Sequence, residues 1–289
     1  MTEFFETDPG QPLLHPRWIT IYRHALMTRL THWINLLCVV VLLMSGLQIF
    51  NAHPALYWGQ AGADRHKALF EIGAVDSGEG PPVGFTRIGS STFVTTGILG
   101  ISRNAAGEEV QLGFPGWMTI PSWRALAWGR RWHFFFAWLF VVNLLVSFLA
   151  GAANGHLRRD LLPSPGQLRP RSLLKDLADH LQLKFPRGEA ARHYNPLQKL
   201  TYLVVILGLL PLMILTGLTM SPGMDSILPW LVDLFGGRQS ARTIHFITAT
   251  LIVLFVCVHV VMVFLAGPIN ELRSMITGKF LISFENKHE

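Results

Sequence analysis

Four histidines set among apolar residues have the side chains best suited to chemistry in this chain: His32, His133, His245 and His259. A neutral imidazole is a common metal ligand. Inside an apolar segment it is costly unless it faces other helices and finds a partner there. His245 and His259 share one run, Ile244–Ala266, which contains no charged residue and is long enough to cross a bilayer as a helix. Their spacing of 14 residues is close to four helical turns, so both rings lie on one face, about 21 Å apart along the axis. That puts one near each surface of a hydrocarbon core about 30 Å thick. Two such histidines imply two stacked metal centres.

The elements that must carry these residues follow from composition. Of 289 residues, 50% are hydrophobic and 15% charged, and the mean hydropathy is +0.36, which excludes an ordinary soluble domain. Hydropathy predicts four spans, at about 31–50, 132–152, 200–220 and 244–266. The expected fold class is therefore all-α integral membrane, a four-transmembrane-helix bundle with an outer loop domain. The first helix is expected to begin near Arg17, after a loose leader at 1–16 bearing Pro9, Pro12 and Pro16. No removable signal peptide is expected, since the first 30 residues lack a short apolar core with a small-residue cleavage site. The two cysteines, Cys38 and Cys257, fall inside spans and offer neither a disulfide framework nor a covalent haem attachment.

The net charge of +6 is distributed as a topology signal and not as a nucleic-acid footprint. Segment 153–199 carries nine Lys/Arg against four Asp/Glu, and Arg17, Arg23 and Arg29 precede the first span with no acid among them. Segment 51–131 is nearly balanced. By the positive-inside rule, 153–199 and both termini face the cytoplasm, with basic side chains touching lipid headgroups.

The connectors carry their own signals. The insertion 51–131, expected on the periplasmic side, is rich in Trp at both ends. Within it, STFVTTGILGIS and EEVQLGF flank RNAAG, which reads as a β-hairpin in an outer cap or docking platform. In the cytoplasmic loop 153–199, RSLLKDLADHLQL places Leu173, Leu174, Leu177 and Leu181 on one side of an amphipathic surface helix. The third span contains Pro211 and no histidine.

Alternating span direction pairs His133 with His245 at the outer face and His32 with His259 at the inner one. Two histidines per iron leave no open position for an exogenous ligand, as in electron-carrying haem proteins. Arg29, Arg130 and Arg242 each stand three residues before a histidine, one turn nearer the interface, where they suit haem propionates or snorkel to headgroups. Gly46 lies 14 residues after His32. It either lets a planar ligand approach the helix or serves close helix packing. Asn195 and Gln198 stand at the cytoplasmic start of the third span. Asn195 reads as an N-cap before Pro196, and the two amides could also hydrogen-bond a quinone carbonyl.

Through RLTHW, RRWHFFFAW, YNPLQK and the 14-residue histidine spacing of the last span, the chain resembles the bacterial cytochrome b561 / nickel-iron-hydrogenase b-type cytochrome family. That family includes the membrane subunits of formate dehydrogenase and thiosulfate reductase. The resemblance covers all four spans and implies two haem b groups on His32, His133, His245 and His259, with quinone as an exchangeable carrier near Asn195 and Gln198. It also implies a periplasmic redox enzyme, of the molybdopterin-dependent kind, as partner. The expected function is electron transfer between membrane quinone and that partner, without substrate chemistry of its own. The alternative is a divalent-metal transporter using the same histidines. Transport sites favour acidic residues near the midplane, and the four spans contain no Asp or Glu.

Overall fold

The computed structural model describes residues 17–62, 67–78, 80–103, 107–155, 162–182 and 195–284. The leader 1–16, the tip 104–106 of the expected hairpin, Tyr194, and His15, His66, His156, His193 and His288 lie outside the described residues. Four helices are long and apolar enough to cross a membrane: α1 (Leu26–Phe50), α2 (Leu126–Ala153), the third span Pro196–Met220, and α8 (Arg238–Ala266). Large apolar side chains such as Leu37, Phe135, Leu149, Leu254 and Val261 point outward, while Ser45, Thr216, Ala241 and Thr248 are buried. This inverts the pattern of a soluble bundle. Lipid solvates the leucines, and helices approach closely where side chains are small. One apolar contact of α1 with α2 uses Cys38, Val41, Phe136 and Phe140. Nearby, Asn143 donates to the Thr31 carbonyl at 2.8 Å and to Asn35 Oδ1 at 2.7 Å.

The third span is built in three pieces: α4 (Pro196–Leu203), a π-helical stretch Val204–Leu209, and α5 (Leu210–Met220). The cause is Pro211, which lacks an N–H and crowds the carbonyl four residues earlier. A π turn absorbs that misfit within the helix. Two short helices, α6 (Pro222–Asp225) and α7 (Trp230–Leu234), then lead to α8. On the loop before the third span, α3 (Pro170–Leu181) is the expected amphipathic helix. Its Asp176 accepts the Leu197 N–H at 2.9 Å, at the N-terminus of α4.

At the outer end, β2 (Ala55–Leu56), β3 (Phe70–Val75), β4 (Val83–Ile88) and β5 (Ser91–Val94) form an antiparallel sheet in that order. The expected hairpin exists as β6 (Gly100–Arg103) with β7 (Glu109–Leu112), in the register Arg103↔Glu109. Ser91–Val94, read with that hairpin in the sequence, instead forms the edge of the larger sheet. Gly100 joins the two layers: at φ +83°, a Cβ there would sit 2.2 Å from the Gly73 carbonyl, so only glycine fits. The outer domain is tied to the bundle through Asn51, which exchanges two hydrogen bonds with the Phe114 backbone at 2.9 and 2.6 Å. Thr243 of α8 also donates to the Tyr57 carbonyl at 2.7 Å.

At the other end, β1 (Arg17–Tyr22) pairs antiparallel with β8 (Lys279–Phe284) from Arg17↔Phe284 to Tyr22↔Lys279. The first helix therefore does not begin near Arg17. Ile19, Thr20 and Ile21 are β-branched and favour a strand, and helix starts at Leu26. The helix α9 (Pro268–Thr277) packs beside this ribbon. Arg23 bridges Glu271 at 3.3 Å and lies 4.4 Å over the Phe280 ring. Trp33 Nε1 donates to the Met275 carbonyl at 3.1 Å.

Candidate functional site

Helix α8 supplies one histidine to each of two sites. Near its start, His245 faces His133 of α2, with ring centres 6.4 Å apart and planes inclined by 64°. Near its far end, His259 faces His32 of α1 at 6.4 Å and 63°. The structure thus brings together both pairs read from span direction, at two depths and with nearly one geometry. Two imidazoles on one metal ion, each with a metal–nitrogen distance of about 2 Å and roughly 1 Å more to the ring centre, stand about 6 Å apart. The residues present fit an iron held between two histidines.

The outer pair rests on two matching cradles. Ser45 Oγ lies 3.1 Å from His133 Nδ1, and Thr216 Oγ1 lies 3.0 Å from His245 Nδ1. Each hydroxyl is followed by a glycine. A Cβ on Gly46 would lie 3.4 Å from His133 Cε1, and one on Gly217 would lie 3.4 Å from His245 Cε1. Gly46, singled out in the sequence as an approach for a planar ligand, has the His133 ring as its nearest neighbour. Ser45, Thr216 and Gly217 escape sequence reasoning because hydroxyl residues are common at membrane helix interfaces. The available signal is the repeated dipeptide, Ser45-Gly46 and Thr216-Gly217.

The inner pair is held differently. His259 stacks on Phe255 at 6.0 Å, and His32 meets Trp33 edge-on at 5.7 Å. Phe255 in turn meets Tyr202 of the third span at 6.3 Å. Among the described residues, no hydroxyl hydrogen-bonds either inner ring.

The three arginines stand at their expected levels without carboxylate partners among the described residues, whereas Arg23, Arg87 and Arg238 each pair with an acid. Arg29 donates to the Ile276 carbonyl at 2.5 Å, and its Nε is buried with no partner. Arg130 lies 5.6 Å over Phe134. Arg242 donates to the His53 carbonyl and lies 5.4 Å over Phe50. An orphaned guanidinium N–H and uncompensated cations beside the histidines suit an acidic group on the same ligand. Asn195 and Gln198 form a reciprocal capping box, with Gln198 Oε1 accepting the Asn195 N–H at 3.2 Å. This is the helix-start role. His53 stacks on Tyr57 at 5.7 Å in the outer domain and joins neither pair. Among the described residues no three or more His, Cys, Asp or Glu side chains gather as a metal-holding group.

Residues 23–278 match the family described as prokaryotic cytochrome b561. A protein of Azospira oryzae named protein-methionine-sulfoxide reductase subunit YedZ1 is 29% identical over 265 residues, covering 92% of this chain and 96% of that relative. No solved structure matches the chain. With four membrane-spanning helices and two facing pairs of histidines already in place, the match over most of the chain settles the family: this is a multi-pass membrane b-type cytochrome of the prokaryotic cytochrome b561 family, a haem b-binding electron-transfer protein.

Proposed function

We propose that this cytochrome carries two haem b groups, one on His32 and His259 and one on His133 and His245. In this reading it passes electrons between membrane quinone and a periplasmic redox enzyme. The observation that carries the reading is the pair of 6.4 Å ring separations at two depths of one helix. Held by these histidines, haem b would supply one-electron redox chemistry. The chain's residues hold it: four imidazoles as ligands, with Arg29 at the inner level and Arg130 and Arg242 at the outer level facing the propionates. Gly46 keeps the outer ring seated against α1.

The distribution of basic residues puts 153–199 and both termini in the cytoplasm of a bacterial inner membrane, and the outer domain in the periplasm. The outer domain is then the docking platform for the partner. The name of the Azospira oryzae relative, a reductase subunit, supports a partner oxidoreductase, and we place it in the molybdopterin-dependent class. Quinone meets the protein at the cytoplasmic start of the third span, beside Asn195, Gln198 and Tyr202. There the capping box uses the Gln198 carbonyl, leaving its amide N–H groups for a quinone oxygen.

Haem content by pyridine haemochrome assay tests the reading. The purified protein should hold two haems per chain, and His259→Ala and His32→Ala should each lose the same single haem, spectrally distinct from the one lost in His133→Ala. Retention of both haems in His259→Ala overturns the assignment.

A further inference from the structure

Ser45 and Thr216 do more than satisfy their own helices. Ser45 Oγ donates to the Val41 carbonyl at 2.6 Å, and Thr216 Oγ1 donates to the Leu212 carbonyl at 2.7 Å. A hydroxyl has one proton to give. With that proton committed to the preceding turn, each oxygen faces its histidine as an acceptor, 3.1 Å from His133 Nδ1 and 3.0 Å from His245 Nδ1. Acceptors at Nδ1 require the hydrogen on Nδ1. The nitrogen left bare is Nε2, and the hydrogen bond at one ring nitrogen decides which nitrogen takes a metal. The glycines agree: Gly46 and Gly217 each approach the Cε1–Nδ1 edge of the ring, so that edge turns to the neighbouring helix.

We propose that Ser45 and Thr216 are positioning residues of the outer centre, fixing His133 and His245 as the Nδ1–H tautomer with Nε2 free for iron. The inference rests on the two-haem reading above. A hydroxyl bonded back to its own helix is ordinary at a single site. Here the arrangement recurs on two different helices, toward two different histidines, with a glycine following each time. Acceptors on the far nitrogen raise the donor strength of a ligating imidazole, so they favour the oxidised metal and lower its potential.

The test uses the full-length protein and potentiometric titration of both haems, with haem content measured in parallel. The variants are Thr216→Val, which keeps the shape, Thr216→Ser, which keeps the hydroxyl, and Ser45→Ala. In Thr216→Val and Ser45→Ala one haem should titrate at a higher potential, or bind roughly 10- to 100-fold more weakly, while the other stays unchanged. Thr216→Ser should behave as the parent. Unchanged potentials and content in both Thr216→Val and Ser45→Ala overturn the proposal, as does loss of both haems together, which is a packing role. A downward shift overturns the tautomer, because the hydroxyls would then be donating to Nδ1. If His133→Ala retained both haems, the ligand reading would fail before this one.

Discussion

The outer and inner histidine pairs share a ring separation of 6.4 Å and differ in what stands behind the rings. The outer rings are backed by hydroxyls and glycines at the centre of the bundle, where Ser45 and Thr216 are fully buried. The inner rings are backed by Phe255 and Trp33, and the inner end is closed by the terminal ribbon and α9. Hydrogen bonds fix the direction of a ring, whereas aromatic contact fixes its plane and lets it turn. The outer pair is thus held as a rigid station, and the inner pair as one that tolerates movement.

That contrast breaks most severely where a ring has no room to yield. Gly46→Leu and Gly217→Leu should each abolish haem at the outer level while the inner haem remains, whereas Phe255→Leu should leave haem content intact. Stoichiometry by pyridine haemochrome decides this, and equal losses at both levels would erase the distinction. Next in size are the charges. Arg29→Gln should lower the potential of the inner haem alone, and Arg242→Gln that of the outer haem alone. The shift should be several tens of millivolts, the effect of one charge across about 10 Å at an effective dielectric of about 20. Smaller again is Asn143→Leu, which removes the α2–α1 amide contacts. Hydrogen bonds between membrane helices average about 0.6 kcal/mol and reach about 1.7 kcal/mol, so thermal loss of the Soret band should shift only slightly.

The smallest effect belongs to His53, outside the spans. Burial first, then the charge of Arg242, holds its pKa below the ordinary histidine value, against an opposing pull from Glu71. In the unfolded chain the ring titrates at about 6.5. As pH falls the unfolded state takes the proton first, so this contribution is full above about pH 6.5 and is lost below it, toward the folded value. Because the residue is largely exposed, the change is slight. His53→Gln should flatten the acid limb of outer-domain stability, measured by proteolysis of that domain, without altering either haem.

The four spans and the pairing of the histidines were legible in the sequence. An uncharged run of the right length and a 14-residue spacing are properties of one segment at a time, and span direction then sorts the depths. The hairpin β6–β7 was legible for the same local reason. The edge role of Ser91–Val94 was missed although the two-residue turn Gly89-Ser90 joins it to β4, because the run from Ser91 to Ser102 reads as one arm of the following hairpin. Residues 17–22 show why the first helix was drawn too long. Their alternation Ile19, Thr20, Ile21, Tyr22 is a strand pattern, but a strand needs a partner, and that partner lies at the other end of the chain. Ser45 and Thr216 were invisible individually. Their meaning appears only when two helices are set beside two histidines.

The pairing of β1 with β8 also has a consequence for biosynthesis. Arg23 and Glu271, which lock the ribbon to α9, lie 248 residues apart, so the first strand leaves the ribosome long before its partner exists. The strand β1 therefore waits for β8 until the four spans have been made. Closing a contact so distant in sequence is slow, so the four helices can insert before the ribbon forms. The ribbon and α9 then cap the end of the bundle at Trp33 only after the spans are in place.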